Sequence, residues 1–114
     1  MKLAKPLRLT VKRLDSYTAI KNREKSAEVR LLRGCIRRLK KDDMVYLAHG
    51  KEEVKIYVDK LKIFGSIEEM LGNEIVKNAA GGSKRKLDSR FYEQFYRIDE
   101  MKRHNVAVIF FRLA

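Results

Sequence analysis

The run Val54 to Phe64 constrains this chain more than any other stretch. Val54, Ile56 and Val58 share one parity, whereas Leu61 and Ile63 share the other, so one strand spanning the run must switch its inward face near Asp59-Lys60. A β-bulge makes that switch, and bulges bend the strands that carry them. Met44 to Ala48 reads as the preceding strand, with His49-Gly50-Lys51 as the turn between the two. Such a bulged hairpin suits a small, strongly curved barrel.

The flanking segments fill in the fold. Leu7, Leu9 and Val11 alternate with Arg8, Thr10 and Lys12, the period of a half-buried strand with a basic outer face. Asp15 or Ser16 is placed to cap a short helix that carries Tyr17 and Ile20 inward and ends near Asn22, with Leu14 as a staple on its first turn. Ala27, Val29 and Leu31 alternate with Glu28, Arg30 and Leu32, so a second strand sets Glu28 and Arg30 on one shared face until Gly34 ends it.

Ser66-Ile67-Glu68-Glu69 has the spacing of a capping box and opens a short helix closed by Gly72 or Asn73. Asn78 to Lys86 is Gly-rich and basic, and reads as a structureless, ligand-responsive loop. Leu87, Phe91, Phe95, Ile98 and Met101 follow helical spacing, which predicts one amphipathic helix running to about Arg103. Val106 to Leu113 is then a buried closing strand. Regular β and α alternation is missing. The expected fold is α+β, one domain over residues 1–114, a small and mostly antiparallel β-barrel flanked by short helices and one longer C-terminal helix.

Charge narrows the function. The chain of 114 residues has 27 Lys/Arg against 15 Asp/Glu, a net of +12. Residues 1–41 hold 14 Lys/Arg and 3 Asp/Glu, so nearly all the excess lies in the first third. A one-sided field of this kind attracts polyanions, of which nucleic acids and anionic membrane surfaces are the commonest; the plain alternative is a basic protein kept soluble by its charge. No apolar run reaches the roughly 20 residues that span a bilayer. Cys35, the single cysteine, has no disulfide partner, which fits an intracellular, cytoplasmic setting with the nucleus as the alternative. His49, His104 and Cys35 are not at ligand spacing, so neither a metal nor a cofactor is expected, and no Walker, GxGxxG or GxSxG string occurs.

What remains is the cluster Lys25-Ser26-Ala27-Glu28-Val29-Arg30. Two cations flanking a carboxylate grip a phosphate or a base edge while the carboxylate accepts from an amino or hydroxyl group. The alternative is a solvent-facing ion pair.

The string Tyr17-x-x-Ile20-(x)4-Lys25-x-x-Glu28-x-Arg30, followed by Leu39-Lys40-Lys41-Asp42-Asp43-Met44-Val45-Tyr46, resembles the opening of an ASCH domain, a PUA-like small β-barrel. Ile63-Phe64-Gly65-Ser66-Ile67-Glu68-Glu69-Met70-Leu71 resembles that family's post-barrel helix, and the resemblance covers about residues 7–113. The family usually has Gly two residues before the motif Lys and Gly-Asp before the barrel strand, where this chain has Arg23 and Asp42.

The resemblance implies a cleft between barrel and helices that binds RNA or a nucleotide. Ligand contact would fall to Lys25, Ser26, Glu28, Arg30 and Tyr96, and backbone contact to Arg23, Arg33, Arg37, Arg38, Lys40, Lys41, Lys84 and Arg85. It also implies an alternative, a hydrolase. One bacterial branch deacetylates acetylated cytidine with a Lys, a Thr and a distal Glu; Lys25 matches, but Glu28 stands in place of the Thr. Another bacterial member cleaves RNA through Lys, Tyr and Ser, to which Lys25, Tyr17 and Ser83 correspond. The expected assembly is a monomer or weak dimer without a membrane partner.

Overall fold

The parity switch is where the sequence places it. In the computed structural model, which describes residues 6–81 and 87–114, β3 (Met44–His49) and β4 (Glu52–Phe64) form an antiparallel hairpin. Gly50 takes a positive φ of 60° at the tight turn, the conformation that favours glycine. The register of β4 against β5 (Val106–Leu113) shifts between Val58 and Lys60. As a result Val58 and Leu61 face the same side despite their opposite parities, opposite Phe111 and Ile109.

With β1 (Leu7–Thr10) and β2 (Ala27–Leu31) these strands make one five-stranded mixed sheet in the order β1-β3-β4-β5-β2. β1 runs parallel to β3, and the other three pairings are antiparallel. β1 and β2 are its two edges, so the curled sheet is a half-barrel rather than a closed one.

Burial on both faces of the sheet explains why β5 is apolar from Val106 to Phe111, before the exposed Arg112. Ala107, Ile109 and Phe111 join one core cluster with Val45, Leu47, Ile56 and Val58, capped by α1 (Leu14–Lys21) and the 3-10 helix Gly34–Arg38. Val106 and Val108 join a second cluster with Val29, Leu31 and Phe64, covered by α2 (Ile67–Leu71), α3 (Glu74–Gly81) and α4 (Ser89–Glu93). Ser66 caps α2 as its spacing predicts, accepting from the Glu69 N–H at 3.0 Å. Among the described residues, no helix is long and apolar enough to cross a membrane.

Four expectations are corrected. Residues 78–81 are the last turn of α3 rather than a loop, held by burial of Val76 and Ala80 one turn apart. The single helix expected after Leu87 is two, α4 and α5 (Ile98–Arg103). The break falls at Arg97, whose backbone is extended and whose N–H donates to the Glu100 carboxylate at 3.1 Å, an N-terminal cap that starts a new helix. Ile98 is left 56% exposed. Asp15 lies inside α1 rather than at its cap, accepting from the Ser16 N–H, and Leu14 is too exposed to act as a staple.

Arg23 and Asp42 are the non-glycine residues with positive φ among the described residues, at 63° and 72°. Arg23 ends α1 in a Schellman arrangement, its N–H bonded to the Ile20 carbonyl and the Glu24 N–H to the Ala19 carbonyl. Asp42 occupies the third position of the turn closed by the Asp43 N–H on the Lys40 carbonyl.

Candidate functional site

The Schellman end of α1 also delivers the site. The Lys25 N–H bonds to the Ala19 carbonyl, so the chain leaves the helix and enters β2 with Lys25 at its threshold. The two-residue period of β2 then puts Glu28 and Arg30 on the same side. Lys25 Nζ stands 3.4 Å from Glu28 Oε1, and Arg30 Nη2 donates to Glu28 Oε2 at 2.7 Å. The outer ends of the trio are anchored as well: Lys25 donates to the Ala80 carbonyl of α3, and Arg30 to the Thr10 carbonyl of β1 at 2.6 Å. That last bond ties one sheet edge to the other.

These side chains line a cavity of about 430 Å³ lying along the gap between β1 and β2, with α4 as its wall. Lys25 and Glu28 are 6% and 9% exposed. Burial alone would raise the Glu28 carboxyl, but Lys25 and then Arg30 outweigh it and hold the group below the usual carboxylate range. Burial likewise works against the Arg30 charge, and Glu28 more than restores it. Near neutral pH Glu28 is therefore a carboxylate set between the Lys25 and Arg30 side chains.

Around the trio the cavity is cationic and aromatic. Its described lining has Lys12, Arg13 and Arg33 besides Lys25 and Arg30, with Glu28 as the single carboxylate. Arg13 lies over the Phe91 ring at 5.5 Å and is held by Asp15 and by Gln94, the latter at 2.8 Å. Arg33 lies over the Tyr96 ring at 5.7 Å and pairs with Glu100 at 2.6 Å. Burial pushes the Tyr96 hydroxyl up, with Arg30 offsetting only part of that, so it stays a neutral donor at physiological pH. Phe91 and Phe95 meet edge to face at 5.4 Å. The arrangement suits a flat, anionic ligand: rings to stack on, cations for phosphate, and a charged trio for a polar edge.

Of the residues singled out in the sequence, Lys25, Glu28, Arg30, Arg33 and Tyr96 are brought together here. Ser26 is exposed and off the lining, and its backbone is spent on Ala79 and Phe111. Tyr17 is in the core, 2% exposed and stacked on His49 at 5.8 Å, and does not line the cavity. Arg23, Arg37, Arg38, Lys40 and Lys41 are exposed outside it. Ser83, Lys84 and Arg85 lie outside the described residues. Lys12, Arg13, Phe91 and Phe95 were not singled out for the site. Arg13 follows the first strand as another basic residue, and the two phenylalanines share the helical spacing that otherwise marks a core stripe.

No family model matches the chain, and no curated protein matches it. Among solved structures, the chain is similar to the crystal structure of "hypothetical protein PH0355", with a TM-score of 0.78 and 21% identity over 96% of this chain and 100% of that one. It is also similar to the solution NMR structure of protein PF0455 from Pyrococcus furiosus, with a TM-score of 0.70 and 25% identity over 96% and 97% of the two chains. Both likenesses run nearly end to end, and what they share with this chain is the fold, an α+β half-barrel with a few short helices.

Proposed function

We propose that this chain is an RNA- or nucleotide-binding module of the ASCH type, with a PUA-like barrel and its ligand in the cavity between β1, β2 and α4. The observation that carries the reading is the convergence of Lys25, Glu28 and Arg30 inside a concavity walled by Phe91, Phe95 and Tyr96. A cavity of about 430 Å³ is at the small end of the ligand-site range, about 300–1,000 Å³, and has room for one nucleotide. Even with Asp15 on Arg13 and Glu100 on Arg33, cations outnumber carboxylates at the cavity, which favours a ligand that brings phosphate.

The backbone at Arg23 and Asp42 supports the family resemblance. At both places the family usually has glycine, and both residues here take the left-handed conformation that glycine adopts without strain. Binding is preferred over hydrolysis because Tyr17, one of the three residues matched to the RNA-cleaving member, is packed in the core and does not line the cavity. The lone, exposed Cys35 suits a reducing intracellular setting.

Fluorescence anisotropy with a short labelled single-stranded RNA tests the proposal. The expected result is saturable binding at low salt that weakens linearly in log–log form as salt rises. Absence of binding at low salt, or affinity indifferent to Arg13→Ala with Arg33→Ala, would refute it.

A further inference from the structure

Within the cavity the charged groups stand in a fixed succession. The Glu28 carboxylate has the Lys25 ammonium on one oxygen and the Arg30 guanidinium on the other, at 3.4 and 2.7 Å. Their ties to Ala80 and Thr10 belong to two different elements, so neither cation can exchange places with the other by changing rotamer. A carboxylate has about four acceptor sites, and these two contacts leave it able to accept again. The trio thus presents positive, negative and positive potential in turn.

We propose that this trio selects the imide edge of a uracil base. That edge is a carbonyl, an N–H and a second carbonyl, hence negative, positive and negative. The N–H donates to Glu28, and the two carbonyl oxygens face Lys25 and Arg30. The inference rests on the reading of the cavity as a nucleotide site and adds the class of base.

The same pattern ranks the other bases. Cytosine sets a ring-nitrogen lone pair against Glu28 and an amino group against a cation, so two of its three positions are mismatched. Adenine repeats both mismatches. Guanine matches with its carbonyl and ring N–H and fails only at its amino group. The aromatic wall leaves this order intact, because every base has a face to stack. The expected ranking is uracil, then guanine, then cytosine and adenine.

Isothermal titration of the natural chain with the four ribonucleoside 5′-monophosphates, and with short oligo(U) and oligo(C) strands, tests this at low salt. Uridine monophosphate is expected to bind about tenfold or more tightly than cytidine monophosphate. Methylation at N3, which removes the imide hydrogen, should weaken binding by about the same factor, whereas 5-methylation leaves the edge intact and should not. Oligo(U) binding more tightly than the monophosphate at the same U-over-C ratio identifies a base within a strand as the ligand; equal affinities identify the free nucleotide.

Cytidine monophosphate binding as tightly as uridine monophosphate, or N3-methylation without effect, overturns the inference while leaving the nucleotide site standing. No binding by any nucleotide or strand overturns both. Glu28→Gln, checked for folding by circular dichroism, is expected to erase the U-over-C ratio. The N3-methyl ligand needs no variant and decides the matter whether or not Glu28→Gln folds.

Discussion

Replacing Glu28 by alanine is the sharpest structural perturbation available. It removes the one negative charge between two cations, leaving Lys25 at 6% exposure and the half-buried Arg30 without their shared counter-ion. Removing one partner of a buried ion pair costs about 3–5 kcal/mol, chiefly because the remaining charge stays desolvated. A small domain is stable by about 5–15 kcal/mol, so this is a large fraction of the total. At an unfolding entropy of about 2.1 cal/mol/K per residue, the midpoint should fall by about 12–20 °C in a thermal melt followed by circular dichroism. The control is Glu53→Gln, which breaks an exposed pair with Arg8 and should leave the midpoint unchanged. If desolvated charge is the cause, replacing all three groups by apolar side chains, Lys25→Met with Glu28→Leu and Arg30→Met, recovers most of the loss. A loss below about 1 kcal/mol for Glu28→Ala would refute the reasoning, since it would mean that the trio is solvated.

Three further outcomes follow from the same geometry. The Glu28 carboxyl is held below its unfolded value of about 4.3, so its contribution is present above that pH and is lost as pH falls through the lower folded value; an acid titration of stability should show this limb, and Glu28→Ala should flatten it. Arg23→Gly should stabilise the fold by about 0.5–1 kcal/mol in urea unfolding, because relief of left-handed strain of about 1–2 kcal/mol exceeds the added chain entropy of glycine; a loss of stability would contradict the strain argument. For RNA binding, Phe91→Ala should cost about 1–3 kcal/mol of affinity through lost stacking, while Arg33→Ala should lower the log–log salt slope by about one, both read by anisotropy.

Local periodicity carried more of the fold than of the site. The bulge near Asp59-Lys60 was legible because parity is a property of the strand itself, and the shared face of Glu28 and Arg30 for the same reason. The break between α4 and α5 was not, since the spacing from Leu87 to Met101 fits one helix as well as two. It is decided by the Glu100 carboxylate, which caps Arg97 locally and pairs with the distant Arg33. The end of α3 was hidden by the Gly-rich stretch that begins inside it, although Val76 and Ala80 at a four-residue spacing were the available signal. The cavity is a tertiary feature. It joins Thr10, Arg30 and Phe91 from an edge strand, the opposite edge and a helix, and no window of sequence contains all three.

Arginine side-chain NMR during titration with a short single-stranded RNA tests the central claim most directly, because the Nε–H signals report which guanidinium groups the ligand reaches. Signals of Arg13, Arg30 and Arg33 should move together and saturate, while those of Arg8 and Arg103, away from the cavity, stay in place. Saturating shifts confined to Arg37, Arg38 and other arginines outside the cavity, with Arg30 unmoved, would contradict the account.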